Sequence, residues 1–411
     1  MHLKLDSIIL FALIVPLIMT HRLSPSDLTP YWLFGLIFLG LLSYISLDLF
    51  FNLTQKIRNK LKLGLLFLLI IFSVGASSYS EIIVRHQTSP TYDINDIIIQ
   101  QESAIRFLLH GVNPYSTTYF NTPLAKWHYS DTEINPALYH FVMQPFYLIF
   151  SIPFYLVTTR TIGFFDGRIP LLFLFFSVIL MINKLIEDGE KKRLFIALFA
   201  FNPANLNYFI EGRDDIYMFA FLFAGLIYLY KEKYKLAGVF TALAFAIKQS
   251  VWPFFPFYFA YLYFKNKNLK KTIVQLFPFA ITFLLFTLPF IIWNWKAFFD
   301  STILYLSGNT SHSYPIAGYG FGKLLNDFGF IKNVNSYYPF WIWQILLGFP
   351  LLICLILWMK KNNNTRRLII SYGIFLFVFW YFSRYFNNSH LAYLSIIFIT
   401  AYFWPNQEKV S

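Results

Sequence analysis

KNKNLKKTIVQLFPFAITFLLFTLPFIIW, residues 265–293, sets four lysines ahead of twenty-two uncharged residues. At about 1.5 Å of rise per residue, an apolar helix of that length crosses about 30 Å of hydrocarbon. Lysines mark the end that stays cytoplasmic. The pattern recurs. Apolar runs near residues 5–19, 30–53, 63–80, 168–186, 194–210, 215–230, 236–249, 251–264, 272–293, 336–359, 367–383 and 389–404 give about twelve transmembrane helices. Between them lie basic clusters at Lys56/Arg58/Lys60/Lys62, Lys191/Lys192/Arg193, Lys231/Lys233/Lys235, Lys265/Lys267/Lys270/Lys271 and Lys360/Lys361/Arg366/Arg367. All five fall on the cytoplasmic side if both termini are cytoplasmic.

Composition supports an all-α integral membrane protein. Of 411 residues, 57% are hydrophobic and 13% charged, more apolar surface than a soluble core encloses. Cys354 is the sole cysteine, which excludes an intramolecular disulfide and a cysteine-built metal site. The net charge of +13 sits in loop clusters, so nucleic acid is not an expected partner. The run 5–19 is expected to stay as a first helix, because Met19-Thr20-His21-Arg22 offers no small-x-small cleavage site. Pro136, Pro145 and Pro153 interrupt a further apolar stretch, 136–158. A full crossing there would turn Lys191–Arg193 outward, so the segment is expected to dip and return, with a thirteenth helix as the alternative. Two long loops, 81–135 and 294–335, are then non-cytoplasmic. No sequence period or linker divides the chain, and 1–411 is read as one integral-membrane domain.

The scarce acids are concentrated. The first long loop carries Glu81, Asp93, Asp96, Glu102, Asp131 and Glu133 against Arg85, Arg106 and Lys126. Apolar residues at Ile97, Ile98, Ala104, Ile105, Leu108 and Leu109 predict an amphipathic helix on the outer leaflet, capped by Asn95 or Asp96 and ended by Gly111. Asp96, Gln100, Ser103 and Phe107 share a face, and Glu102 pairs with Arg106 at i, i+4. A carboxylate at such a helix start serves either the helix amides or, at the membrane boundary, an acceptor hydroxyl as general base. Farther on, Asn202-Pro203 breaks an apolar run, and Glu211-Gly212-Arg213-Asp214-Asp215 opens the next, where the paired acids suit capping or substrate. Lys248 lies at an outer helix end, against the positive-inside trend. It either snorkels or holds an anion. Arg384, followed by Asn387, Asn388 and His390, is a second outer cation, an interfacial anchor or an anion ligand.

Together these residues resemble a known family. Asp96-Ile-Ile-Ile-Gln100-Gln-Glu102, with Leu108 to Gly111, Asn113-Pro114 and Tyr115, looks like the first outer loop of polyprenyl-phosphate-dependent membrane glycosyltransferases of the C-type fold. Asn202-Pro203, Gly212-Arg-Asp214-Asp215 and Ala244 to Lys248 are similar to the Asn-Pro, Gly-x-x-Asp and Ala-x-x-x-Lys positions of the family 87 mannosyltransferase branch. The likeness spans roughly residues 90–265. Asn135-Pro136-Ala137-Leu138-Tyr139 stands where the family often has Tyr-Pro-Pro.

The resemblance implies transfer of a mannose-like hexose from a polyprenyl-phosphate donor to a hydroxyl of a lipid or glycan acceptor, on the non-cytoplasmic face of the cell membrane and with inversion. Asp96 is the implied base, with Asp93 its competitor. Lys248 and Arg384 are the implied donor-phosphate ligands, and Gln100, Glu102, Asn113, Tyr115, Asp214, Asp215 and His390 the implied substrate contacts. No cofactor and no metal is implied. The rivals are a transporter or flippase, which would place its acids at mid-membrane, and a polysaccharide polymerase, which would carry arginines in loop 294–335. That loop has Lys296, Lys323 and Lys332 but no arginine. Single-cysteine labelling in a Cys354→Ser background checks the topology. Positions 62 and 361 are expected to be cytoplasmic and 127 and 309 outside, and protection of 127 from an impermeant reagent until lysis overturns it.

Overall fold

In lipid a helix satisfies its own backbone, so long apolar stretches have little alternative. The computed structural model describes residues 2–50 and 53–406 and is 72% helical. The sheet among the described residues is a two-residue parallel pairing of Ala317–Gly318 with Tyr385–Phe386. Five helices are long and apolar enough to cross a membrane: Tyr31–Leu49, Gln55–Thr88, Arg168–Leu185, Leu269–Trp293 and Phe340–Lys361. Leu5–Thr20, Asp215–Tyr230 and Tyr234–Phe245 are shorter apolar helices. The chain has the build of an all-α membrane protein. Leu269–Trp293 leaves Val274, Phe277, Leu285 and Ile292 exposed along its length, as a lipid-facing helix does. Asp215–Tyr230 is the opposite, buried over most of its length between Tyr234–Phe245 and Arg168–Leu185.

Several expected boundaries move. The run 30–53 is helical over Tyr31–Leu49, and residues 51–52 lie outside the described residues. Gln55–Thr88 continues through a π turn at Ile71–Gly75, so the loop expected from residue 81 begins after Thr88. The run 194–210 is broken into Gly189–Ala200 and Pro203–Glu211, because the Asn202 side chain caps Ala204 N at 3.1 Å and Pro203 starts a new helix. The run 251–264 opens as a 3₁₀ segment, Gln249–Phe254, before Phe255–Asn266.

The proline-interrupted stretch forms a 3₁₀ turn at Pro136–Leu138 and a helix, Phe146–Thr161, with non-helical chain between. Phe146 packs on Phe221, while Phe154 meets Phe173 and Tyr155 meets Phe165. Both halves of this helix therefore contact the N-terminal halves of Asp215–Tyr230 and Arg168–Leu185 or the segment just before the latter. We call the end where these two helices start the loop end.

The opposite end holds a buried ion network that corrects the basic-loop expectation. Lys62 is fully buried and binds Asp6 Oδ1 and Asp48 Oδ1, each at 3.0 Å. Arg193 Nε reaches Asp6 Oδ2 at 2.5 Å, and Tyr44 donates its hydroxyl to the same oxygen at 2.8 Å. Lys62 and Arg193 are thus ties among Leu5–Thr20, Tyr31–Leu49, Gln55–Thr88 and Gly189–Ala200, not loop cations. Position 62 is closed to a labelling reagent, which leaves 361 to report that side. Removing one partner from a buried pair strands the other charge. Lys62→Met is expected to cost about 3–5 kcal/mol, read as a lowered thermal midpoint in detergent, with part recovered in Lys62→Met/Asp48→Asn.

Candidate active site

The loop end is organised by one helix, Asp96–Leu109, whose span and Asn95 cap match the sequence expectation. The Asn95 side chain accepts from Ile97 N at 3.3 Å, and Gly111 follows at φ +73°. Its setting does not match. Residues 98–105 are all buried, so the helix is enclosed by protein instead of lying on the leaflet. Three consecutive polar residues explain this, since each points to a different neighbour. Gln100 donates to Ala137 O (2.6 Å) and His140 O (2.8 Å). Gln101 donates to Ser151 Oγ at 2.8 Å and to the Tyr217 hydroxyl at 3.3 Å. Glu102 takes a bidentate contact from Arg85, at 2.7 and 2.9 Å, so the expected Glu102–Arg106 pair is not formed. Arg85 continues to Asp166 (2.8 Å), and Asp166 to Arg168. Gln100 and Glu102, expected as substrate contacts, fix the helix through these partners.

Asp96 is the first residue of that helix. The preceding Asn95 N donates to Glu211 O at 2.9 Å, which locks the helix start to the Gly212-Arg213-Asp214-Asp215 turn. Gly212 is required there. It has φ +94°, and a Cβ would sit 2.6 Å from Ile98 Cγ1. Burial pushes the Asp96 carboxyl above its ordinary 3.8, and the Asp214 charge adds to the rise. Against that work the Asn135 amide, the Arg213 guanidinium and the Ile97 amide. Tyr129, Tyr305 and Tyr314 lie in the field of the same carboxyl, and burial pushes Tyr129 to about 12.

Across from Asp96, Lys248 Nζ binds Asp214 Oδ1 at 2.8 Å and Asp215 Oδ1 at 2.9 Å. The Asp214 side chain caps nothing, so the two acids are there for the lysine. Lys248, expected as a donor-phosphate ligand, is thus paired with two carboxylates of the protein itself. Lys248 stands in a break between helices that the other broken segment satisfies. Gln144 N donates to Ile247 O (2.9 Å), Phe146 N to Ala246 O (2.8 Å), and Gln249 Nε2 to Val142 O and Thr302 O.

Arg384, the other expected phosphate ligand, also has partners within the protein. Its Nε, Nη1 and Nη2 donate to the carbonyls of Tyr314, Ser336 and Val334, which clamps the second loop. Gly308, at φ +88°, leaves the space that this guanidinium occupies. Asn113 caps Tyr115 N at 2.9 Å, and the Tyr115 hydroxyl donates to Met143 O at 2.7 Å, so both fasten the first loop. His390 closes a capping box with Asn387 at the start of Asn388–Phe403, within the field of Lys248 and Arg213. Asp93 faces another cavity, beside Glu81 and Glu211.

The structure therefore brings Asp96, Asp214, Asp215, Lys248 and His390 together. It adds Arg213, Asn135 and the tyrosines, which sequence reasoning missed. Arg213 stood inside the Gly-x-x-Asp match and was readable there. Nothing marked the tyrosines among 28. Around them Asp214 Oδ2, both polar atoms of Gln144 and the Tyr147 hydroxyl are buried without a partner among the described residues. A polar molecule would satisfy such a lining. The sequence model of glycosyltransferase family 87 matches residues 141–383, more than half of the chain. The chain belongs to glycosyltransferase family 87. No curated protein and no solved structure matches it.

For this family 87 glycosyltransferase, the matched range takes in Arg213, Asp214, Asp215 and Lys248. It begins after Asp96 and ends one residue short of Arg384. The case for Asp96 therefore stands on geometry. A base must be ionised to act. Transfer is expected to fall on acidification with an apparent pKa above 3.8. Asn135→Ala removes a contact that favours the carboxylate, so it is expected to move that acid limb to higher pH, measured as the pH profile of kcat/KM. A limb that stays in place separates Asn135 from the base.

Proposed function

We propose that this glycosyltransferase moves a mannose-like hexose from a polyprenyl-phosphate donor to a hydroxyl of a lipid or glycan acceptor, with inversion. The observation that carries the proposal is a carboxyl without a salt bridge, Asp96, in the field of a half-buried cation, Arg213, beside buried polar atoms that lack a partner, at one end of an apolar bundle. Arg213 is the cation left with capacity to bind. Its guanidinium rests on the Tyr208 ring at 4.3 Å and reaches Glu211 only at 3.5 Å, and its side chain is 30% exposed. Lys248 and Arg384 are both committed within the protein.

In the proposed reaction Asp96 accepts the proton of the acceptor hydroxyl as its oxygen attacks the anomeric carbon. The bond from that carbon to the phosphate oxygen breaks, its electron pair stays on the phosphate, and Arg213 stabilises the charge that develops. One displacement on the face opposite the phosphate inverts the anomeric centre. The Asp214–Lys248–Asp215 triad keeps Asp214 Oδ2 free to accept from a sugar hydroxyl. An apolar bundle end suits an isoprenoid chain, and with about twelve spans and cytoplasmic termini the site lies on the non-cytoplasmic face of the cell membrane.

Membranes supplied with labelled lipid-phosphate sugars and extracted envelope lipids test the donor. Label is expected to move from the lipid phosphate, and transfer from a nucleotide sugar alone overturns the proposal. Asp96→Asn is expected to lower transfer by about 10²–10⁴-fold with donor binding retained, because only the proton acceptor is lost. Asp93→Asn is expected to cost less. Arg213→Gln is expected to weaken donor binding and turnover together, since a charge-assisted contact to phosphate is made in both states.

A further inference from the structure

A cleft of about 650 Å³ opens at the end of the bundle that holds the Lys62 network, away from the candidate active site. Three helices wall it: Leu5 and Ile9 belong to Leu5–Thr20, Leu194 and Leu198 to Gly189–Ala200, and Phe398 and Tyr402 to Asn388–Phe403. The first and last of these helices both pack on Gly189–Ala200, and Phe195 stacks on Phe403 at 5.3 Å. Leu5, Phe398 and Tyr402 are exposed, so the cleft opens sideways, where a membrane protein meets lipid. The transfer reaction described above does not use it.

The chemistry of the cleft changes along one helix. Asp188, Lys191, Leu194 and Leu198 follow one another at steps of three and four residues, which places them on one face. That face is charged at the helix start and apolar beyond it, the profile of an amphiphile. Both charges at the mouth have capacity left. Asp188 Oδ1 accepts from Lys191 N at 2.8 Å, while its Oδ2 takes no hydrogen bond among the described residues. Lys191 forms no salt bridge among them, whereas Glu190 beside it is held by Lys4 at 3.4 Å. Leu5 and Leu194 adjoin Asp6 and Arg193 in the chain, so a molecule in the cleft adds apolar cover beside the buried ion network.

Apolar contact alone selects nothing here, because lipid tails are as apolar as leucine. Selection falls to the mouth, where a cation and an anion stand one helical turn apart. We propose that this cleft binds an aminophospholipid. One acyl chain runs between Leu5–Thr20 and Asn388–Phe403, the phosphate meets Lys191, and the primary ammonium donates to Asp188 Oδ2. The proposal rests on this cleft and not on the donor chemistry proposed above, so either can fail without the other.

The test uses the full-length protein, stripped of lipid in detergent and titrated with phosphatidylethanolamine, phosphatidylglycerol and diacylglycerol of the same acyl chains. Bound lipid is read by native mass spectrometry and the thermal midpoint in parallel. Phosphatidylethanolamine is expected to bind about tenfold or more tighter than phosphatidylglycerol, a difference of about 1.4 kcal/mol, and to raise the midpoint. Asp188→Asn keeps a good helix cap and is expected to abolish that preference. Lys191→Ser, at an exposed position, is expected to weaken both phospholipids by about tenfold or more. Leu198→Trp, which fills the cleft, is expected to weaken all three lipids, and the two mouth variants carry the test should it fold poorly. Equal or tighter binding of phosphatidylglycerol to the parent protein overturns the proposal. So does a preference for phosphatidylethanolamine that survives Asp188→Asn, the signature of a lipid held elsewhere on the bundle.

Discussion

Backbone amides and carbonyls away from water must be paired, and at the loop end of this bundle two stretches of unwound chain pair with one another. Residues 139–145 carry no helix, and neither do Ala246 to Lys248. Gln144 N and Phe146 N donate across to Ile247 O and Ala246 O, and Gln249 ties both stretches to the second loop. If either stretch were helical, its backbone groups would be internally used and the other would be left unsatisfied. The gap they leave is where Lys248 stands and where Asp214 and Asp215 reach it. The candidate site is thus a consequence of how broken backbone is accommodated in an apolar bundle.

The same economy governs charge. Burying an ion is costly unless it is paired, and both ends of the protein show buried ions arranged in small neutral sets. Lys62 and Arg193 with Asp6 and Asp48 join four helices at one end. Arg85 and Arg168 with Glu102 and Asp166 hold the Asp96 helix at the other. Against these sets Asp96, which forms no salt bridge among the described residues, and Arg213, held only by Glu211 at 3.5 Å, stand out. Family membership supplies the reaction class, and these two groups supply its candidate agents.

Some of this was legible beforehand. The Asp96–Leu109 helix and its asparagine cap were readable, because capping and helical periodicity are local. The wall formed by Gln100, Gln101 and Glu102 was not. Their spacing looks like the polar face of a surface helix until partners on four other segments are present. Lys62 and Arg193 misled for the same reason, since a lysine in a basic cluster and a lysine in a buried pair have the same neighbours in sequence. Lys248 was correctly singled out as a charge out of place, but its partners are 33 and 34 residues away. The same holds for Arg384, all three of whose carbonyl partners are far along the chain.

By itself the sequence determined the class of the protein, a bundle of apolar helices, and the segments where that bundle is interrupted. Hydrophobic length and helix-breaking prolines act on residues close in the chain. Which charges are spent and which remain was decided only in the tertiary structure. Ion pairing depends on distances between helices, and no local pattern encodes those. For that reason no local pattern shows that Lys248 pairs with Asp214 and Asp215, that Arg384 binds loop carbonyls, or that Arg213, two residues after Glu211, lies in the field of Asp96.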